Sequence, residues 1–587
     1  MSVLRVLGLL ACVVLPSGGF DVSDVCTKCS CQYLLSSQLS DTSCIIEGPV
    51  LEVNCSSRPK VTQNANQLPN APTSNASPAV LLSYRHAGLT SLQPFTMFDP
   101  LNVTSLSLDH NKLVYIPPRA LTGLRNLRSF TASHNDINSV APDAFKGLKY
   151  LRHLDLSFNS LHNLDFKIVL ESSLVYLDVH NNNIKSVLNP ETKITTLETM
   201  DLSENNITDF PLLFFTSFPN LRTLNISYND LGVLSSDFFH ELSELVVLDA
   251  SGNYVKEVNR RVVESLKNLK KLFLSDNVLK DVSFVEVLPS LVVLDLSRNN
   301  LSFLGDRPLN QKLQRLSVSN NNLTDLSHVF KVFENLKSLD GSWNPTSVFP
   351  EHVRAGLREL VLDGTRLNSW PAQRPGEGKI DHLSLSHIPG ITSLGPYAFS
   401  GILKKKNESG KCVTLKISNT SLSSIDEDAL RDLEICQLDL SHNKLRWLPE
   451  GLLPWNSLVG VDLQHNPWHC DCALQWMVTS LVPTIYKYHQ SLLDDVRCAS
   501  PENLQGTRLV HWLYHGEAAL CTNKEAMLTA KARSSDAHPL LVTLSSSPLM
   551  LAVLLALSVL AAMLVILAFA LQRRSVRMRK LRRNRRF

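Results

Sequence analysis

An eleven-position frame, L-x-x-L-x-L-x-x-N-x-L, recurs along this chain and restricts its folding more than any other feature. Leu151, Leu154, Leu156, Asn159 and Leu161 fill it once; Leu221, Leu224, Ile226, Asn229 and Leu231 fill it again, as do Leu291, Leu294, Leu296, Asn299 and Leu301. The frame asparagines stand at Asn111, Asn135, Asn159, Asn182, Asn205, Asn229, Asn253, Asn277, Asn299, Asn321 and Asn344, 22 to 24 residues apart. A unit this short cannot bury its apolar face alone, so it must stack on its neighbours. At 587 residues an ordinary chain would divide into three or four domains. A one-dimensional stack removes that expectation, because it grows by adding units to one continuous core.

In each frame the leucines point into the core, and the residues between them point out from a short strand of a parallel sheet. The asparagine is expected to be buried at the turn, where its amide can satisfy backbone groups of neighbouring turns. A second apolar run, such as Pro142, Phe145 and Leu148, packs the opposite side. Pattern and period resemble the leucine-rich repeat, which implies an α/β solenoid: a curved horseshoe with a parallel concave sheet, capped by disulfide modules at both ends. About 17 units run over residues 79–466. After Asn344 the frame loosens, with Thr365 and Thr420 in place of Asn and Ile388 at the same position. The stretch Ser400 to Lys411 lengthens one unit and is expected to form a loop.

The net charge of +3 hides an asymmetry: nine Lys and Arg lie between Arg573 and Arg586, and without them the rest carries about −6. Residues 1–19 read as a signal peptide, with Arg5, an apolar run from Val6 to Leu15, and small residues Ser17, Gly18 and Gly19. Leu549 to Leu571 is uncharged and long enough to cross a bilayer core of roughly 30 Å, placing a transmembrane helix at 548–571. The basic tail, 572–587, then marks the cytosolic side and is expected to lie on the anionic inner leaflet. A stalk at 522–547 precedes the span. The expected localisation is the plasma membrane, single-pass type I, with the repeats extracellular.

Eleven cysteines follow Cys12 in the signal peptide, and an oxidising compartment favours their pairing. Cys412 and Cys436 lie 24 residues apart on neighbouring strands, within reach of a bridge. The run Cys26, Cys29, Cys31 with Cys55 resembles the N-terminal cap of extracellular leucine-rich repeat proteins, here residues 20–78. That resemblance implies Cys26–Cys31 and Cys29–Cys55, with Cys44 left over. Asn466-Pro467-Trp468 with Cys470, Cys472, Cys498 and Cys521 resembles the matching C-terminal cap, 467–521, and implies Cys470–Cys498 and Cys472–Cys521. A zinc site is the weaker reading of Cys470-x-Cys472. His511 and His515, one helical turn apart without a third ligand, read as surface residues.

No motif of catalysis appears: there is no G-x-S-x-G, no H-E-x-x-H and no phosphate-cradling loop. Asp155, Asp178, Asp201, Asp295 and Asp439 recur at frame position five and read as a solvated stripe. No cofactor, metal or nucleic acid is expected, and the chain reads as a non-enzymatic recognition surface. Position eight carries His110, His134, Phe158, Tyr228, Trp343, His442 and His465. Aromatic side chains bury large area at little rotamer cost, so Phe158, Tyr228 and Trp343 are the candidate ligand contacts. The competing reading is that these rings pack on one another. Nine glycosylation sequons stand at Asn54, Asn75, Asn102, Asn206, Asn225, Asn300, Asn322, Asn407 and Asn419. Asn225 occupies position five, on the sheet face, where a glycan would displace partners to either side.

From Cys26 to Cys521 the chain resembles the ectodomains of cell-surface leucine-rich repeat proteins such as Slit, Toll-like receptors, connectin and chaoptin. The 16 residues after the span hold no Toll-type signalling domain. The resemblance implies a protein ligand, in adhesion or cell–cell recognition, with an innate-immune or signalling co-receptor as the alternative; a homodimer or a co-receptor complex would fit either.

Overall fold

The computed structural model describes residues 30–34, 50–54, 79–92 and 102–513, apart from 170, 235–237, 351–352, 354–355, 371–378, 405–411 and 456–457. The signal peptide, stalk, span and basic tail lie outside the described residues. So do Cys26, Cys29, Cys44, Cys55, Cys521, His515 and the sequons Asn75 and Asn407. Among the described residues no helix is long and apolar enough to cross a membrane.

Two compact units are formed. The first takes in residues up to 392 together with 397–421 and 432–439. Among the described residues it holds sixteen repeat strands, from Ala79–Ser83 to Ile435–Asp439. Most are three residues long and cover frame positions three to five, as in His153–Asp155, Tyr176–Asp178 and Thr199–Asp201. They pair in parallel, and apart from a shift at Val80/Leu81 and another at Val413/Thr414 the register is kept: Leu154 lies beside Leu177, Leu177 beside Met200 and Met200 beside Leu224. A one-residue slip would turn every leucine out to solvent, so burying position four fixes the register. Leu154, Met200 and Leu224 are completely buried. Ahead of the repeats, Ser30–Leu34 and Val50–Asn54 pair antiparallel, and the latter joins Ala79–Ser83 in parallel. Cys31 lies in the first of these strands, opposite Val53.

Among the described residues the return side of the repeats holds no α-helix longer than the four residues of Arg260–Val263 and Val329–Val332, so the α/β expectation becomes a β-solenoid of parallel strands. The fragments there are single turns, such as the 3₁₀ turns Phe166–Val169 and Phe214–Ser217, and short paired strands such as Asn163–Asp165 with Ser186–Leu188. A period of 22 to 24 residues leaves too little chain for more than about one helical turn after strand and turn are built. Phenylalanine fills the return side instead. Phe166, Phe214, Phe215 and Phe218 are buried and meet one another and Phe210, Phe238 and Phe239 at centroid distances of 5.0 to 6.0 Å. Rings at this spacing gain beyond their buried area.

The second unit takes in 393–396, 422–431 and the chain from 440 onward. Its strand Gly460–Asp462 is followed by Trp468–His469, paired with Cys498–Ser500, and by the helix Val482–Tyr488. Trp468 is fully buried, and Trp476 donates its indole N–H to the Leu448 carbonyl at 3.1 Å. Cys470 and Cys498 form a disulfide with Cα atoms 5.6 Å apart. Cys472 is also disulfide-bonded; its expected partner, Cys521, lies outside the described residues.

Candidate functional site

The frame asparagine sets the site's geometry. Asn159 donates to the carbonyls of Leu156 (3.0 Å) and Ser157 (3.0 Å) in its own unit and of Ala132 (2.9 Å) in the preceding one, while its Oδ1 accepts the Ile137 N–H at 2.9 Å. Asn182, Asn205, Asn229, Asn253 and Asn277 repeat this arrangement. To bring the amide inward, the residue before it must turn left-handed. His110, His134, Phe158, Tyr228 and Trp343 all have φ between 50° and 55°. That conformation suits Gly, Asn or Asp and costs a bulky residue roughly 1–2 kcal/mol, so a ring at this position needs compensating contacts.

Two kinds of contact supply it. His86, His110 and His134 stack at 4.5 and 4.4 Å, and Phe158 closes the ladder on His134 at 4.1 Å. The middle imidazole, His110, is held below the ordinary histidine range by desolvation and by His134 and His86 on its two faces. Elsewhere the ring lies over glycine. A Cβ on Gly252 would sit 2.4 Å from the Tyr228 ring, and one on Gly364 would sit 2.4 Å from the Trp343 indole. Both glycines occupy position eight of the next unit, with φ of 62° and 65°. Tyr228 and Trp343 are thus held flat by backbone and remain 55% and 51% exposed.

Position eight lies three residues past the strand, so Phe158, Tyr228 and Trp343 sit at the edge of the sheet rather than on its open face. Phe158, 36% exposed, is the least available, with His134 against one face and the His180 ring edge-on at 4.7 Å.

The carboxylates at position five are not simply solvated. Asp155, Asp201 and Asp340 each accept the N–H and hydroxyl of the serine two residues on, Ser157, Ser203 and Ser342, which turns the chain off the strand. Burial raises the Asp155 pKa; the bonds from Ser157 pull it back, and neighbouring Asp178 and Asp109 add to the rise. Asp178 instead holds His180 at 2.7 Å and accepts the Tyr176 hydroxyl at 3.0 Å. Burial pulls His180 down, but the Asp178 hydrogen bond and charge outweigh it, so its pKa is raised. Asn225 takes an aspartate's place in this row: its Oδ1 accepts from Ser227 and its Nδ2 donates to Asp201 at 2.9 Å. The sequon residues Asn206, Asn300, Asn322 and Asn419 are exposed, and Asn102 is half-buried. Asn54 ends the strand Val50–Asn54.

Cys412 and Cys436 form a disulfide with Cα atoms 5.6 Å apart. Their strands pair with a register shift, Val413 beside Ile435 and Thr414 beside Gln437, so Cys436 is the extra residue of a bulge. The bulge re-aims a side chain that would otherwise leave the strand in another direction from Cys412.

Sequence reasoning missed further exposed apolar residues on the edge, Val233, Tyr254, Val278 and Phe303. The signal was present at position ten, where Lys112, Asp136, Ser160, Asn183 and Asp230 are polar but Tyr254 and Val278 are not.

Comparison with known proteins agrees with this architecture. The pattern described as "Leucine rich repeat" matches residues 82–137, 133–184 and 195–255, and "Leucine Rich repeats (2 copies)" matches 267–306. Over 98 residues the chain is 32% identical to the phospholipase A2 inhibitor of Gloydius brevicaudus siniticus, covering 16% of this chain and 28% of that one. It is 28% identical to osteomodulin of Bos taurus over 204 residues, 33% of this chain and 40% of the relative. It is also 28% identical to the transforming growth factor beta activator LRRC33 of Danio rerio over 215 residues, 33% and 30% of the two. The chain thus spans less than half the length of these relatives. In structure it is similar in fold to a leucine-rich repeat protein of Leptospira interrogans, with a TM-score of 0.56, 24% identity, and coverage of 68% of this chain and 98% of that one. The chain thus carries leucine-rich repeats over the matched residues, 82–184, 195–255 and 267–306.

Proposed function

We propose that this is a single-pass, type I cell-surface recognition protein whose repeats bind a protein ligand in adhesion or cell–cell recognition. The observation that carries the reading is Trp343, half exposed and laid flat over Gly364. An aromatic ring already fixed in place loses little freedom on binding, which is how a few anchors come to dominate an interface. The named targets of two relatives, a phospholipase A2 and transforming growth factor beta, are proteins and support a protein ligand here. A glycan at Asn225 would divide the open sheet, leaving Trp343 on one side and Phe158 on the other. The basic tail would anchor the cytosolic end against anionic lipid.

The test is to display the full chain on otherwise non-adherent cells and mix them with cells of the surrounding tissue. Clustering that falls about thirtyfold in apparent affinity with Trp343→Ala, at equal surface level, supports the reading. Clustering indifferent to that substitution, or none with any cell type, rejects it. The second reading, a co-receptor that signals through a longer-tailed partner, is favoured by the similarity to the Danio rerio activator. It predicts a stable complex within one cell instead of contact between cells.

A further inference from the structure

We propose that the edge of the repeats between Tyr228 and Phe303 is a self-complementary surface on which a second copy of this chain docks. At position ten the chain runs in register from unit to unit: the N–H groups of Asp230, Tyr254, Val278 and Asn300 donate to the carbonyls of Ile207, Leu231, Val255 and Leu279 at 2.9 to 3.1 Å. Side chains at this position therefore form a column along the edge. In that column Tyr254, 60% exposed, and Val278 stand where other units carry polar residues. Tyr228, Val233 and Phe303 add exposed apolar area at positions eight and thirteen. Scattered apolar residues on a surface mean little, but a contiguous group along one edge marks an interaction site.

The sequons bound this group. Asn206 and Asn300 hold position ten in the units before Asp230 and after Val278, and Asn322 follows. Spacing of about 4.8 Å per strand leaves roughly 20 Å of the position-ten column as a window between the Asn206 and Asn300 sequons, while Asn225 lies on the sheet face and not in this column.

The charges in the window choose the occupant. In two consecutive units position twelve is a cation and position thirteen an acid: Lys256 with Glu257, Lys280 with Asp281, all exposed. Lys256, Glu257 and Lys280 have no ion-pair partner among the described residues, and Asp281 accepts only from Ser283. These are two parallel columns of opposite sign. A two-fold axis along the repeats, between the columns, lays each lysine against a carboxylate of the other copy, as an isologous contact requires. A single-sign partner would meet repulsion from one column. The window is at the small end of specific interfaces, so pairing depends on confinement in one membrane, which raises effective concentration.

The test uses two differently tagged full-length chains co-expressed in one cell and purified through one tag in mild detergent. Lys256→Glu with Lys280→Glu in both copies should reduce recovery of the second tag at least tenfold, and Glu257→Lys with Asp281→Lys in both copies should do the same. Pairing the acidic variant with the basic variant should restore recovery to within about twofold, a rescue that misfolding could not give. Trp343→Ala should leave recovery unchanged, which separates this surface from the ligand reading. No recovery of the second tag with the unaltered chain, or no rescue in the mixed pair, overturns the proposal.

Discussion

The units up to Asn344 and those between Thr346 and Asp439 close the same turn with different chemistry. In the first region one amide ties each turn to its neighbour: Asn229 bonds the carbonyls of Ile226 (3.2 Å) and Leu202 (3.0 Å) and accepts the Ile207 N–H (3.0 Å). In the second, Thr365 reaches only the Leu362 carbonyl of its own turn, at 2.8 Å, and Ile388 has no polar side-chain atom to offer. The amide's link between units is missing at Thr365 and Ile388; hydrogen bonds from Ser384 and Ser386 to Asp363 and between Ser386 and Ser418 join these units instead, and the covalent bridge Cys412–Cys436 stands further along. A solenoid can hold its units together by repeated buried hydrogen bonds or by a local covalent staple. Each leaves a different vulnerability.

Substitutions can break that contrast. Asn229→Leu is expected to have the largest effect, about 3–5 kcal/mol, because several buried backbone groups lose their partner at once. Urea unfolding of the full chain should show it as early loss of the middle repeats; a change below about 1 kcal/mol would mean water substitutes for the amide. Replacing Cys412 and Cys436 by serine should cost about 3 kcal/mol, the entropy of opening a loop this long, confined to the irregular region. Gly252→Ala should cost about 2 kcal/mol, since the new methyl meets the Tyr228 ring and the residue is left-handed. Tyr228 fluorescence or proteolysis of that edge should report the displaced ring. Thr365→Val should cost about 1 kcal/mol or less, since one hydrogen bond is lost.

The smallest effect is one of pH. His180 is raised above its ordinary value by Asp178, so its contribution is complete below about pH 6.5 and fades as pH rises through the folded pKa. Asp178→Asn should remove that slope from the pH dependence of stability. An unchanged slope would show that other groups produce it.

The frame residues made the strands and the buried asparagines legible, because their hydrophobic period and amide chemistry depend on no distant part of the chain. The return side was not legible: Pro142, Phe145 and Leu148 show only that a segment is apolar, and the length left after strand and turn allowed no more than single turns. The edge was legible in part. Position eight was singled out for its aromatics, but its left-handed backbone, the reason it faces the edge, follows from the asparagine beside it having to turn inward. That His86, His110, His134 and Phe158 stack while Tyr228 and Trp343 lie over glycine depends on position eight of the next unit. That pairing could have been read only by comparing units two at a time. The sequence likewise placed Cys412 and Cys436 on neighbouring strands without revealing the bulge that aligns them.

Hydrogen exchange on the full-length chain, with and without Cys412→Ser and Cys436→Ser, tests the contrast most directly. The amides of Ile137, Leu161, Ile184, Ile207 and Leu231, each donated to a frame asparagine, should remain slow and unaffected by the substitutions. The strands Val413–Lys416 and Ile435–Asp439 should exchange at least tenfold faster without the bridge. Equal acceleration in both regions, or none in those two strands, would contradict the account.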